Sequence, residues 1–181
     1  MTGDVLLRPS EARDLAAITA IYDEAVRNGT ASYELAPPSL EEMTRRWRTL
    51  AEAGYPHLAA ERDGKVVGYA YAGPFRERRA YRFMVEDSLY IAPEAQGRGI
   101  GRALLSELIT ICEGQGFRQM VAVIGGGTEH PASVALHSAL GFRHVGMIAG
   151  SGFKHGRWLD TLIMQRSLGE GQATLPPPED R

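Results

Sequence analysis

The chain has 181 residues, of which 44% are hydrophobic and 23% charged, with a formal net charge of −2. This length and composition are typical of one globular domain, and the charge gives no reason to expect nucleic acid or an anionic membrane as a partner. No apolar run is long enough to span a membrane, the N-terminus lacks a signal-peptide pattern, and Cys112 is the only cysteine. We therefore expect a cytoplasmic protein without disulfides.

The spacing of apolar residues predicts eleven helices and strands. Ser39-x-x-Glu42 is a capping box, and Asp63-Gly64 favours a tight hairpin turn. The predicted elements are a strand over 5–7, a helix that Ser10 caps and Asn28-Gly29 ends, a helix from Ser39 to about Ala53, strands over 57–61 and 66–73, a strand from Val85 to Ile91, a helix from Ile100 to about Gly114, a strand over 119–124, a helix over 131–140, and strands over 142–148 and 158–166.

This order of elements predicts a single α/β domain over residues 1–168. Its sheet is mixed, because a helix crosses over between the two central strands. Residues 169–181 are rich in Gly, Gln, Pro, Glu and Asp, and we predict a disordered tail there.

The stretch with the clearest chemistry is the glycine loop, residues 96–101, which lies between a predicted strand and a predicted helix. Glycines at a helix N-terminus leave backbone N–H groups that can bind a phosphate. A Walker loop is excluded because no Gly-Lys-Ser/Thr sequence follows, and a dinucleotide fingerprint is excluded because Arg102 stands where its third glycine belongs. The pattern that fits is Gln96-x-x-Gly99-x-Gly101.

That pattern resembles the pyrophosphate loop of the GNAT superfamily of acyl-CoA-dependent N-acetyltransferases. The two early helices, the hairpin over 60–72 and Ser133-x-x-x-His137 before Gly141-Phe142 match as well. More narrowly, the chain resembles the phosphinothricin and methionine sulfoximine/sulfone N-acetyltransferases in Ala72-Gly73-Pro74-Phe75, Arg78, Ala80-Tyr81, Val85-Glu86, Val121-Ala122-Val123-Ile124-Gly125 and Gly152-Phe153-Lys154-His155-Gly156-x-Trp158-x-Asp160. The resemblance implies a GNAT fold, with a mostly antiparallel sheet splayed at the acetyl-CoA site and flanked by helices, and a homodimer.

The resemblance also implies that acetyl-CoA is the co-substrate. Strand backbone would pair with its pantetheine amides, and the glycine loop would hold its pyrophosphate. Arg98 and Arg102 would add charge or be merely solvated, and His130 stands where the family commonly has Asn, so that contact is either replaced or absent. The implied residues are Leu89, Tyr90, Ile91, Gly97, Arg98, Gly99, Ile100, Gly101, Arg102, His130 and Ser133.

Two residues are candidates for the chemistry. An amine is mostly protonated at neutral pH, so a base must remove a proton before it attacks a thioester. The resemblance implies Glu86 as that base; the alternative is a strand carboxylate paired with a nearby arginine. It also implies a proton-transfer role for His137, for which the alternative is a packed, hydrogen-bonded histidine.

The resemblance implies acceptor contacts from two loops and from the strand that follows one of them. Arginine recognises carboxylate and phosphinate groups with two parallel hydrogen bonds, which suits an anionic amino acid, although charge clusters are often solvated surface. The implied substrate-binding residues are Tyr33, Arg76, Arg78, Tyr81 and Val85.

Three functions therefore remain open. The first is N-acetylation of a small amino acid or an analogue such as phosphinothricin or methionine sulfoximine. The second is acetylation of a protein N-terminus or a polyamine. The third is a sensor that binds acyl-CoA without turnover. The five histidines and one cysteine show no metal-ligand spacing, so we expect no metal site.

Overall fold

The structure, a computed structural model, describes residues 4–176. These residues contain seven strands and four α-helices. Their order matches the predicted α/β arrangement. They are β1 Leu6–Pro9, α1 Leu15–Asn28, α2 Leu40–Glu52, β2 His57–Arg62, β3 Lys65–Pro74, β4 Met84–Ile91, α3 Ile100–Gly114, β5 Gln119–Gly125, α4 Pro131–Ala139, β6 Arg143–Lys154 and β7 Arg157–Ser167.

The strands form one mixed sheet in the order β1-β2-β3-β4-β5-β7-β6. Neighbours are antiparallel except β4 and β5, which run parallel because α3 crosses over between them. These two strands pair only over residues 84–87 and 119–122. Beyond that point residues 88–91 and 123–125 part, and we call the gap between them the fork.

The two faces of the sheet carry different helices, and side chains of β4 alternate between them. Tyr90 meets Tyr22 of α1 edge to face at 4.9 Å. Leu89 points the other way, since a Cβ on Gly101 of α3 would lie 3.4 Å from its Cδ2 atom. Even-numbered residues of β4 therefore face α1 and α2, and odd-numbered residues face α3.

Local signals predicted one helix start correctly and one incorrectly. The Ser39 hydroxyl accepts a hydrogen bond from the Glu42 backbone N–H at 3.2 Å, which confirms the cap of α2. The predicted cap at Ser10 is wrong. Its hydroxyl lies 2.7 Å from Nδ1 of His57 and accepts a hydrogen bond from Nε1 of Trp47 at 2.9 Å, so tertiary contacts replace the cap.

One later segment also differs from the prediction. Strand β6 continues through residues 149–154, where we expected a loop, because β7 pairs with it across an irregular register after Ile148. The disorder of residues 169–181 stays a prediction; in that segment Thr174 accepts a hydrogen bond from Arg118 at 3.0 Å. Residues 177–181 lie outside the described residues. Across residues 4–176, every helix is too short or too polar to cross a bilayer.

We predict that replacing Gly125 at the end of β5 by alanine destabilises the fold. Its new Cβ would lie 2.6 Å from the Thr30 carbonyl oxygen and 2.8 Å from the Tyr33 ring, so the linker between α1 and α2 must move. Overpacking of this kind costs about 1–3 kcal/mol, which urea denaturation measures as a loss in the free energy of unfolding. Gly114→Ala is the matched control, because nothing lies within 4 Å of its Cβ and alanine favours a helix. Equal stability of the two variants would contradict the prediction.

Candidate active site

A cleft of about 650 Å³ opens at the fork. One wall is β4 from Glu86 to Ile91, and a second is the glycine loop with the first turn of α3. The third wall combines the end of β5 with the segment from His130 to His137. Residues that are far apart in the sequence therefore meet where β4 and β5 separate.

The edge of β4 offers backbone hydrogen-bonding groups to the cleft. The bonds from Ala92 N–H to the Val67 carbonyl and from Phe75 N–H to the Met84 carbonyl show that even-numbered residues of β4 bond to β3. Leu89 and Ile91 consequently turn their N–H groups toward the fork. The backbone of Tyr90 faces β3 instead, so this part of the prediction applies to the two odd-numbered residues.

The glycine loop adopts the backbone geometry that its sequence predicts. Gly97 and Gly99 have φ of 69° and 79°, in the left-handed region that favours glycine, and Gly99 caps α3 without a side-chain hydrogen bond. The first backbone N–H groups of α3 therefore lack intrahelical partners, and five residues of the loop line the cleft. Arg98 and Arg102 are exposed and lie outside the cleft lining.

The third wall carries His130 and Ser133, both predicted to contact the cofactor. Nε2 of His130 lies 2.8 Å from the Thr30 hydroxyl, which ties the start of α4 to the linker between α1 and α2. Both residues line the cleft. The cofactor contact of His130 stays a prediction.

Glu86 is a half-buried carboxylate at the base of the cleft. It makes no hydrogen bond or ion pair with any residue in the range 4–176, so the alternative of a carboxylate paired with arginine is not what the structure contains. Burial, and after it the negative charge of Asp87, raise the pKa of Glu86 above its usual range. An unpaired carboxylate with a raised pKa in a cleft is a candidate general base.

Sequence reasoning missed Asp87, which is buried beside the cleft at 7% exposure. Its Oδ2 atom lies 3.0 Å from Nε2 of His137, which is 4% exposed. The only signal for it was indirect: an acidic residue on the apolar face of a buried strand needs a partner, but nothing identifies a partner 50 positions away.

Tyr33 reaches the cleft from the linker between α1 and α2. Its hydroxyl donates to the Asp160 carbonyl at 2.8 Å and accepts from Gly126 N–H at 3.2 Å and from the Thr161 hydroxyl at 3.0 Å. A phenol has one donor and two acceptor sites, so no hydrogen-bonding capacity remains for a substrate. Tyr33 can therefore offer a substrate only its ring.

The other predicted acceptor residues lie outside the cleft lining. Arg76 stacks over Phe75 at 5.1 Å and over Tyr81 at 6.0 Å, in the loop that precedes β4, and Arg78 is exposed in the same loop. Their roles stay predictions. The side chain of Val85 is 0% exposed, because it faces α3 while Glu86 faces the other side. A substrate contact of Val85 stays a prediction and would involve its backbone only.

The cleft can bind a particular kind of molecule. Its glycine loop suits a phosphate-bearing end, and the edge of β4 suits an extended chain with amide groups, which would pair like an added strand. Glu86 lies where that chain would end, at the closed side of the fork. Proton removal from a second molecule at that end is the chemistry that the arrangement favours.

Comparisons with known proteins give matches along nearly the whole chain. The sequence profile of the acetyltransferase (GNAT) family matches residues 18–142. A phosphinothricin N-acetyltransferase of Alcaligenes faecalis is 54% identical over 163 residues, covering 90% of this chain and 82% of that enzyme. An L-methionine sulfoximine/L-methionine sulfone acetyltransferase of Pseudomonas aeruginosa is 40% identical over 163 residues, covering 90% and 94%.

One solved structure is similar in fold as well as in sequence. It is a GNAT superfamily phosphinothricin acetyltransferase of Sinorhizobium meliloti in complex with acetyl-CoA. It superposes with a TM-score of 0.93 and is 58% identical, covering 97% of this chain and 94% of that chain.

We predict that Glu86→Gln lowers kcat by about 10²–10⁴-fold in an assay of thiol release, because an amide cannot accept the proton. The variant should fold. Because burial raises the pKa of Glu86, its ionisation costs stability above that pKa, so the variant should be more stable than the parent at pH 7. That advantage should disappear as the pH falls through the pKa.

The control is Glu24→Gln, at an exposed position of α1, which should change neither turnover nor the pH dependence of unfolding. Turnover of Glu86→Gln within twofold of the parent would exclude Glu86 as the base.

Proposed function

The chain belongs to the acetyltransferase (GNAT) family, and we propose that it transfers the acetyl group of acetyl-CoA to the α-amine of a small amino acid or analogue of the phosphinothricin or methionine sulfoximine type. It has the GNAT fold, and its class of enzyme is acyltransferase. One observation supports this reaction above all: the carboxylate of Glu86, unpaired among residues 4–176, lies at the closed end of a cleft that suits acetyl-CoA. There it can take a proton from the amine of the acceptor.

The proposed reaction is direct attack of the amine on the thioester. Glu86 takes a proton from the bound ammonium group, directly or through a water, and the neutral nitrogen attacks the acetyl carbonyl carbon. The N–H of Ile91, which faces the fork, donates to the carbonyl oxygen as it gains negative charge. The C–S bond then breaks as the nitrogen gives up its second proton, which passes directly or through a water to the leaving CoA thiolate. The amide forms, and the proton held by Glu86 returns to solvent. Each turnover yields the N-acetyl product and CoA.

The binding of acetyl-CoA uses mainly backbone. The N–H of Leu89 and the carbonyl group of Ile91 would pair with the pantetheine amides, and the N–H groups at the start of α3 would hold the pyrophosphate. The relative from Sinorhizobium meliloti, which is similar over nearly the whole chain, was solved with this molecule bound. Ser133 and His130 lie on the opposite wall, where they can contact the pantetheine arm.

The proposed acceptor carries a negative or strongly polar group besides its amine. The loop before β4 is rich in arginine, which favours such a group and disfavours a polyamine. The relatives named for phosphinothricin and methionine sulfoximine point to the same class. A sensor without turnover is disfavoured because a half-buried carboxylate without a partner costs stability and needs another reason to be there.

We infer a homodimer that forms through the sheet edge at β6. The large apolar side chains there are unusually exposed, and an edge strand with such a surface is typical of a protein interface. They are Val145 at 60%, Met147 at 48%, Ile148 at 54%, Phe153 at 56% and Trp158 at 70% exposure. Light scattering should give twice the 19.7 kDa mass of one chain, and Ile148→Asp should halve it. Leu6→Asp, at the opposite edge, is the control, and a parent protein of one chain's mass would contradict the dimer.

A cytoplasmic location is part of the same proposal. Cys112 is a buried free thiol, as expected for a protein that folds in a reducing compartment. Cell fractionation tests it, and recovery with the membrane or periplasmic fraction would contradict it.

We predict that the protein releases CoA thiol from acetyl-CoA with phosphinothricin, methionine sulfoximine and methionine sulfone. Spermidine and a peptide with a free N-terminus should give turnover at least about tenfold slower, because the arginine-rich loop repels cations and favours an acceptor with an anionic group close to its amine. Faster turnover with the peptide or the polyamine would replace the proposed acceptor class. Tight acetyl-CoA binding with no turnover on any amine would favour the sensor.

A further inference from the structure

Asp87 and His137 form a buried pair at the one point where the sheet opens. Asp87 is the last residue of β4 that pairs with β5, opposite Ala122. His137 lies on α4, and the two side chains meet at 3.0 Å although both are at least nine-tenths buried. The pair therefore spans from β4 to α4 beside the fork.

Both ring nitrogens of His137 are occupied. Nδ1 lies 2.8 Å from the carbonyl oxygen of Ser133, which can only accept, and Nε2 faces the carboxylate of Asp87. Two acceptors as partners favour a ring with a proton on each nitrogen, and the Ser133 hydroxyl lies farther from Nδ1, at 3.4 Å. Burial opposes this cation, but Asp87 and the Ser133 carbonyl outweigh it and raise the pKa of His137 above its usual range. Neither nitrogen is left to face a thioester sulfur.

The contact between Asp87 and His137 joins β4 to α4 at the point where backbone pairing between β4 and β5 ends. Beyond Asp87 and Ala122 no backbone pairing joins β4 to β5, yet α4 must stay in place because it carries the third wall of the cleft. The ring of Phe142 closes on the imidazole edge to face at 4.9 Å, so the histidine is also packed. A contact between two charges in a buried site has a narrow range of geometries.

We propose that Asp87 is a positioning residue that acts through His137: the pair fixes α4 against β4 and thereby sets the width of the channel for the acyl-CoA arm. This rests on the proposed function, since the channel is the one assigned to acetyl-CoA. His137 then contributes as a fixed cation in the wall and not as a free acid or base.

Titratable groups of three neighbouring elements lie around the pair. From α3, Cys112 faces it, and burial raises the pKa of that thiol to about 12. From β4, Glu86 lies on the opposite face of the strand. At the start of α4, the other titratable groups are engaged elsewhere: Glu129 with Arg157 and His130 with Thr30.

The test compares Asp87→Asn, His137→Gln and the double variant. The asparagine keeps the size of the side chain and can still donate a hydrogen bond to a neutral ring, but it removes the charge. We expect each variant to raise KM and Kd for acetyl-CoA by about tenfold or more while kcat at saturation changes less. The double variant should lose no more than either single variant, because all three remove the same ion pair. Asp23→Asn, in an exposed pair with Arg27, is the control and should change none of these values.

Two readouts separate this role from a purely structural one. Nitrogen NMR of the imidazole should show both nitrogens of His137 protonated at pH 7 in the parent and one in Asp87→Asn. The parent's advantage in unfolding free energy over Asp87→Asn should be largest at or below pH about 6.5, and should shrink as the pH rises through the raised pKa of His137.

Other outcomes would overturn the proposal. Unchanged acetyl-CoA affinity in Asp87→Asn, with lower stability only, would make the pair a structural contact. A loss of kcat in His137→Gln far beyond that in Asp87→Asn would make His137 an acid or base in its own right. Either result leaves the proposed function intact, since turnover and Glu86 dependence are measured separately.

Discussion

The site depends on one constraint, which is that β4 and β5 pair for four residues and then part. Parallel strands joined by a crossover helix normally stay paired along their length, so the divergence leaves polar backbone groups of Leu89 and Ile91 without strand partners. A ligand with its own amides can satisfy them. The same divergence removes the support of α4, and the Asp87–His137 pair supplies a replacement.

Side chains alternate between the two faces of β4, so the adjacent residues Glu86 and Asp87 face opposite sides of the sheet and can have different roles. Within residues 4–176, Glu86 faces the helices α1 and α2 without a hydrogen-bond or ion-pair partner, while Asp87 faces α3 and α4 with His137 beside it. The unpaired carboxylate is the one whose raised pKa suits proton transfer, and the paired carboxylate holds the wall. One strand thus places the proposed base and the proposed positioning residue on opposite faces, and the charge of the second contributes to the raised pKa of the first.

Local chemistry explains which parts of this arrangement the sequence could predict. The glycine loop, the Ser39 cap and the hairpin at Asp63-Gly64 were predictable because each depends on residues within a few positions. Ser10 was misassigned because a hydroxyl that fits a helix start also fits His57 and Trp47, which only the fold brings near. The pairing of Asp87 with His137 could not be predicted for the same reason, since only the fold brings these two residues together.

A crystal structure with CoA and methionine sulfone bound would test the account most directly. The account predicts the pantetheine arm in the fork, hydrogen-bonded to Leu89 and Ile91, with the amine nitrogen of the sulfone within about 3 Å of the Glu86 carboxylate or joined to it by one water. An amine bound away from Glu86 with no water between them, or a pantetheine arm outside the fork, would contradict it.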